Sequence, residues 1–473
     1  MLLGLDLGTG SCKALLLSNE GKVLGEASKP YAVHAPQIGW AESNPLEWWE
    51  AIGAASREAV GNYSAEIRAI GLSGQMHGTV LCDAQGQPIR DAILWSDGRS
   101  SSVLEAYQKL SIRQLEHLSN PIVAGMMGAS LLWYKENLGL NGIKWALLPK
   151  DWLRYCLTGE VATDPSDACA TLLYDLQQDD WFWDVFEALE LPKIVPEVRS
   201  STSIAGSLTR EAALHLGLQA GIPVITGGGD TPCAMLGNGI TDTGTAQLSI
   251  GTGAQIITPI ATAQFGKSTH CYRTVLETNA KYYAMSAMQN AGLALERVRN
   301  WLSVDWLQFH DLAFSVPNTQ NLIFLPYLSG ERTPHLNPNA RGAWLNLGLQ
   351  HEKAHLARAA LEGVAFSLKD GLSALEQTGL HIPELQLVGG GTLEPRWQQL
   401  LCDVLEKPLF SSGTSNASAR GAALLAGLGI GSFKNVLETT QMLPKPKLIA
   451  EPNTDTELLQ MTRTRFRTAY ARA

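Results

Sequence analysis

The chain has little cysteine for its length, and what it has is scattered. Its seven cysteines (12, 82, 156, 169, 233, 271 and 402) are odd in number and never in C-x-x-C spacing. That argues against a disulfide framework or a cysteine zinc site and suits a reducing compartment. Long apolar runs are also missing. None reaches membrane-spanning length, and Asp6 breaks the first one with no basic stretch ahead of it, so neither a membrane span nor a signal peptide is expected. Surplus positive charge is absent as well: the net charge is −9 and no basic run stands out, which argues against general nucleic-acid or anionic-membrane binding. The series Arg463, Arg465, Arg467 reads as the solvated face of a last helix. A charged share of 17% beside 45% hydrophobic residues is that of a globular protein. At 473 residues two or three domains are expected. The outline is a cytoplasmic α/β enzyme.

Two familiar phosphate loops are also missing. Gly266-Lys267-Ser268 resembles the end of a P-loop, but Ala261 stands where its first glycine belongs. Neither Gly8-x-Gly10 nor Gly251-x-Gly253 continues to a third glycine, and an apolar strand follows each where a dinucleotide fold would start a helix.

What is present is a turn written twice. Leu5-Asp6-Leu7-Gly8-Thr9-Gly10-Ser11 runs on into Lys13 to Leu17, and Leu248-Ser249-Ile250-Gly251-Thr252-Gly253-Ala254 runs on into Ile256-Ile257. Each is an apolar strand, a Gly-Thr-Gly turn and a second strand, hence a hairpin whose N–H groups can line an anion. The copies lie 243 residues apart, the spacing of a domain duplication rather than of a solenoid. Two such hairpins suit a nucleotide phosphate tail held between related domains, with a boundary expected at 243/244. An acidic chain can bind ATP this way, because local N–H groups and a metal ion compensate the charge.

Strands alternate with helices in both halves, which predicts α/β sheets covered by helices. Asn44-Pro45, with Glu47 completing a capping box, starts the first helix. A long helix is expected over 353–378 with Gly379 as its C-cap, another over 395–406, and an Ala/Leu-rich one over 417–427.

Five segments carry candidate chemistry. Asp6 sits in an apolar strand beside the first turn, where a carboxylate is costly unless hydrogen-bonded or facing a metal; beside a phosphate site, Mg²⁺ is the better reading. Asp230 follows Gly227-Gly228-Gly229 at a strand end, with room for a substrate hydroxyl to approach a general base; the plainer reading is a helix N-cap. Gln75, Met76 and His77 stand between two glycines, where His and Gln suit a polyol, although a lone His is more often a core residue. The loops Trp95–Arg99 and Ser329–Pro334 read best as internal Asp–Arg and Glu–Arg pairs.

Taken together, these segments resemble the FGGY carbohydrate kinases, from Leu3 to about Gly429. The two hairpins, the loop Val388–Gly391 and the stretch 342–364 resemble that family's signatures, with a departure at Asn346, where glycine is usual. The resemblance implies two duplicated actin-like (ribonuclease H-like) ATPase domains, 1–243 and 244–473, with a catalytic cleft between them. It implies Asp230 as catalytic base, Asp6 at Mg²⁺, and Gln75, Met76 and His77 at the sugar. Thr9, Lys13, Gly251 and Thr252 then fall at the ATP phosphates, and Gly292, Gly390, Gly391 and Glu394 near the nucleoside. Within the family the similarity is greatest to the members acting on D-xylulose, through 75–78, 93–99, 148–154, 227–230 and 324–335. Glycerol kinases carry Arg-Glu at the place of Met76-His77. The alternatives are another ketose or polyol (ribulose, L-xylulose), or a partner-moving ATPase with no sugar substrate. A homodimer is expected from resemblance alone.

Overall fold

The computed structural model describes residues 1–454 and 457–471. Both halves are organised by a seven-stranded sheet. In the first, the strands run in the order Ile204–Ser207, Pro223–Ile225, Ala69–Gly74, Leu2–Leu7, Ser11–Leu17, Val23–Pro30, with Gly228–Gly229 added beside Ala69–Gly74. In the second they run Lys447–Ala450, Leu409–Ser411, Leu385–Val388, Gln247–Ile250, Ala254–Ile260, Tyr282–Met288, His270–Arg273.

From the first strand onward the pairing sense is the same in both sheets. The hairpin strand pairs antiparallel to its successor, which pairs antiparallel to the next strand. On its other side it pairs parallel to a distant strand, which pairs parallel to another, which takes an antiparallel edge. A shared order of senses in two stretches far apart in the chain is the structural form of the repeated turn. The parallel pairs need crossover helices, and the buried strands read as continuous apolar runs such as Leu2–Leu7.

The first helix, Pro45–Val60, starts as its sequence predicts: the Asn44 side chain accepts the Leu46 N–H at 3.0 Å. Glu47, however, accepts the Ala32 N–H and closes no capping box. The long helix is Lys353–Glu376; Gln377 is its C-cap, and Gly379 turns the chain two residues later with φ +91°. Arg463 and Arg467 are not a merely solvated face, since both reach Asp370. Asn346 holds φ +61°, the left-handed region a glycine would take, which asparagine tolerates better than most residues. All seven cysteines are free. No helix among the described residues is long and apolar enough to cross a membrane.

One helix departs from its place in the sequence. Ala417–Gly429 lies in the chain between two strands of the second sheet, Leu409–Ser411 and Lys447–Ala450, yet its apolar side packs with Leu2, Leu15, Ala69, Ile225 and Leu236 of the first half. Contact is backbone to backbone. A Cβ on Gly4 would fall 1.8 Å from the Ala419 carbonyl oxygen, and one on Gly421 would fall 1.8 Å from that of Cys233.

Candidate active site

Strand register places the first group of residues. Asp6 is level with Ser73 in the parallel partner, and Ser73 with Gly228; the next row is Leu7, Gly74 and Gly229. One step beyond, at the carboxyl edge where ligands of such sheets sit, the chain delivers Gln75 and Asp230. Gln75 N–H donates to the Leu7 carbonyl at 2.8 Å, extending the row past the last strand residue. Lys13 stands opposite Asp6 across the hairpin.

The buried Asp6 carboxylate accepts the Ser73 hydroxyl at 2.9 Å. Burial raises its pKa, opposed by the Lys13 charge and the Ser73 hydrogen bond. Asp230 is the first residue of the helix Asp230–Asn238, with Gly229 at the cap position. Its Oδ1 accepts the Thr231 N–H at 2.6 Å. Burial first, and the neighbouring Asp6 charge second, push its carboxyl up to about 7. A carboxylate titrating near neutrality is suited to taking and releasing protons.

The triple glycine is required by crowding. At Gly227, φ is +81° and a Cβ would meet the Leu72 carbonyl oxygen at 2.4 Å; at Gly229 it would meet Met76 Cγ at 2.8 Å. Gly229 N–H donates to the Ser166 hydroxyl at 3.0 Å, which donates to Asp164 at 2.6 Å. Asp164 also accepts the buried Lys150 ammonium, which reaches Asp151 and Asp167 as well. Ser166 and Asp164 were not singled out by sequence; Asp-x-Ser two residues apart carries no signal until the glycine loop is folded against it.

Met76 is buried, with its sulfur accepting the Tyr283 hydroxyl at 3.7 Å. His77 takes φ +74°, an uncommon backbone for this residue type that turns its ring toward the second half. Its Nδ1 lies 2.7 Å from the Ala170 carbonyl and must donate to it, leaving Nε2 as an acceptor. Burial holds the ring neutral, at about 4. Gln75 Nε2 donates to the Gly8 carbonyl at 3.4 Å, while its buried Oε1 has no partner among the described residues. Of the two charged loops, the first is internally paired as read, Asp97 with Arg99 at 2.7 Å. The second is not: Glu331 accepts backbone N–H groups of Gln289 and Arg332, and no Glu331–Arg332 side-chain pair forms.

A second group lies on the hairpins. Thr9 Oγ1 accepts the Trp95 indole N–H at 2.9 Å. Gly251 N–H donates to Gly253, and Gly292 N–H to Gly251 at 3.0 Å, where a Cβ on Gly292 would be 2.3 Å from the Gly251 carbonyl oxygen. The Thr252 carbonyl accepts from Ala291 and Leu293, which ties the second turn to the helix Gly292–Leu302.

A third group shares one cavity of about 550 Å³: Gly292, Gly390, Gly391 and Glu394 all line it. Glu394 also caps the helix Pro395–Leu405 by accepting the Arg396 N–H. The cavity's apolar wall comes from Leu295, Trp306, Leu307 and Leu393, with His310 beside them. A largely apolar cavity edged by glycines suits a purine ring. Trp306 and His310 belong to a helix whose sequence has no motif, so sequence reading passed over them.

Among the described residues no three His, Cys, Asp or Glu side chains form a metal cage. Asp6 and Asp230 instead offer two adjacent carboxylates, the hard oxygen donors that a partly hydrated Mg²⁺ takes.

Known proteins resemble this chain over nearly its whole length. Residues 1–237 match the N-terminal domain model of the FGGY family of carbohydrate kinases, and 246–430 match its C-terminal domain model. The chain is 32% identical over 470 residues to a xylulose kinase from Staphylococcus epidermidis, covering 96% of this chain and 93% of that one. It is 33% identical over 463 residues to the xylulose kinase of Escherichia coli, covering 94% and 93%. The solved structure of a xylulose kinase from Rhodospirillum rubrum superposes with a TM-score of 0.90 at 28% identity, covering 100% and 98%. The chain belongs to the FGGY family of carbohydrate kinases, and it is a sugar-phosphorylating enzyme with that family's two-domain fold.

Proposed function

We propose that this kinase transfers the γ-phosphoryl group of ATP to D-xylulose, giving D-xylulose 5-phosphate and ADP. The observation that carries the reading is the place of Asp230 at the shared strand edge, one residue past Gly229, which pairs with Gly74 and abuts Met76. In this reading the sugar's terminal hydroxyl gives its proton to Asp230 as its oxygen attacks phosphorus, and the phosphorus–oxygen bond to ADP breaks. His77 Nε2 and Gln75 Oε1 accept sugar hydroxyls. Lys13 and the N–H groups around Thr9, Gly251 and Thr252 hold the phosphates, and the 550 Å³ cavity holds adenosine. Asp6, with Asp230 nearby, would hold Mg²⁺, which when bound supplies charge neutralisation of the phosphates. Such transfer is mostly positioning and charge stabilisation, so this small set is sufficient. Names of the relatives support the choice of sugar, as does the absence of an Arg-Glu pair at 76–77. Asp230 behind its triple glycine, with the Gln75-Met76-His77 segment at the adjoining strand end, favours this reading over a partner-moving ATPase.

The test is ADP release measured with D-xylulose, L-xylulose, D-ribulose, L-ribulose, glycerol and gluconate. D-Xylulose should give the highest kcat/KM; turnover no greater than the sugar-free background would sink the reading. Sedimentation velocity would test the proposed homodimer.

A further inference from the structure

Behind the strand ends of the site lies a cluster of charge that takes no part in the chemistry described so far. Lys150, Asp151, Arg154, Asp164 and Asp167 are all wholly buried. The Lys150 ammonium lies 2.6 Å from Asp151, 2.9 Å from Asp164 and 3.3 Å from Asp167, and Arg154 lies 2.9 Å from Asp151. A buried ion pair is a poor stabiliser, because desolvation offsets its attraction. Leaving one member unpaired is nonetheless costly, so the pairs hold the segments that carry them in one fixed relation.

The cluster grips the site from two directions. On the base's side, Asp164 accepts the hydroxyls of Ser166 at 2.6 Å and Ser201 at 2.7 Å. Ser166 Oγ takes the Gly229 N–H and the Ser201 carbonyl takes the Gly227 N–H, each at 3.0 Å. Both ends of the triple glycine before Asp230 thus hang on one carboxylate. Arg154 holds the residue ahead of them, donating to the Thr226 carbonyl at 3.0 Å. On the sugar's side, Asp164 caps the helical turn Pro165–Ala168, which contains Asp167 and continues into Cys169–Thr171. From there the Ala170 carbonyl accepts His77 Nδ1–H. Lys150 itself backs the strand between these two arms: a Cβ on Gly74 would fall 2.9 Å from Lys150 Cβ. One short segment, 164–171, therefore reaches the loop of Asp230 and the ring of His77, and a single ammonium fixes it.

Resting on the sugar-kinase reading above, we propose that Lys150 is a positioning residue: through Asp164 and Asp167 it sets the segment 164–171, and with it the distance between the base Asp230 and a sugar held at His77. Phosphoryl transfer tolerates little error in that distance, since a misplacement of about 1 Å can cost about a hundredfold in rate.

Steady-state kinetics and thermal melts of Lys150→Met, Asp167→Asn and the two combined test this. Lys150→Met should lower kcat about ten- to hundredfold and raise KM for D-xylulose about tenfold, because both arms shift. KM for ATP and calorimetric ADP binding should stay as they were, and the melting temperature should fall. Asp167 has no hydrogen-bond partner among the described residues and pairs only with Lys150, so adding Asp167→Asn restores the net charge of the cluster. The double variant should regain melting temperature while both constants stay impaired, a split that support of the fold alone would not produce. Recovery of both constants with the melting temperature would overturn the proposal, and so would a fall in kcat with sugar KM unchanged. If Lys150→Met does not fold, Asp167→Asn by itself removes one of the two links and should move both constants the same way by about threefold; wild-type constants there would equally overturn it. Wild-type inactivity on D-xylulose would instead strike the sugar reading, and the same variants would then be measured on the sugar it prefers.

Discussion

Asp6 lies one register row from the strand end that delivers Asp230, through Ser73 and Gly228, and its charge, second to burial, raises the Asp230 carboxyl to about 7. A general base must be unprotonated to act. The kcat/KM for sugar should therefore climb with pH, bend at about 7, and drop about tenfold per unit well below it. A limb bending below pH 5 would show that Asp230 is not the titrating base.

The same shift acts on stability with the opposite sense. An unfolded Asp titrates near 3.9, about three units lower, so the native state binds the proton more tightly between the two values. Below about 4 both states are protonated and the burial of charge costs nothing; above about 7 the full cost is present. Asp230→Asn should thus gain on the order of 4 kcal/mol at pH 8 and almost nothing at pH 4. It should also lose about 10²- to 10⁴-fold in kcat while still binding ATP. Thermal melts at both pH values and single-turnover assays check the pair of effects together.

Ser166 is expected to be a positioning residue. Ser166→Ala leaves the buried Gly229 N–H without an acceptor, a loss of about 1–3 kcal/mol. The loop that carries Asp230 should then loosen, lowering kcat more than it changes sugar KM. Equal kcat in the two enzymes would confine Ser166 to a purely stabilising role.

Gly229→Ala should act through Met76. The added methyl would sit 2.8 Å from Met76 Cγ and 3.0 Å from its sulfur, so that side chain must move off its place beside Tyr283. Sugar KM should rise, and Met76→Ala added to it should recover part of the rise by clearing the space. A double variant no better than the single one would place the damage in the backbone instead.

Gly421→Ala tests the helix that crosses between the halves. Its Cβ would lie 1.8 Å from the Cys233 carbonyl oxygen, and no side-chain rotation relieves a backbone clash. Overpacking of this kind costs about 1–3 kcal/mol or more, visible as a lower urea midpoint. An unchanged midpoint would mean that the helices can separate freely.

Much of this was legible from sequence because the informative residues are local. Gly8-Thr9-Gly10 and Gly251-Thr252-Gly253 announce hairpins, and Gly227 to Asp230 announces a crowded strand end. Gly292, Gly390, Gly391 and Glu394 do meet in one cavity. What stayed hidden depends on contacts between distant segments. Trp306 and His310 look like any amphipathic helix until the glycine loop faces them. Arg332 looked paired with its neighbour, because adjacency in sequence says nothing of which way two side chains point. The partners of Arg463 and Arg467 lie on another helix, at Asp370.

The helix Ala417–Gly429 also sets a timetable. Leu2, Ala69 and Ile225 leave the ribosome early, yet the surface that covers them is made only after some two hundred further residues. At 5–20 residues per second that interval is on the order of tens of seconds. During it an apolar sheet face stands uncovered, exposed to aggregation or in need of a chaperone. A nascent chain halted between the two halves would keep that face bare for good.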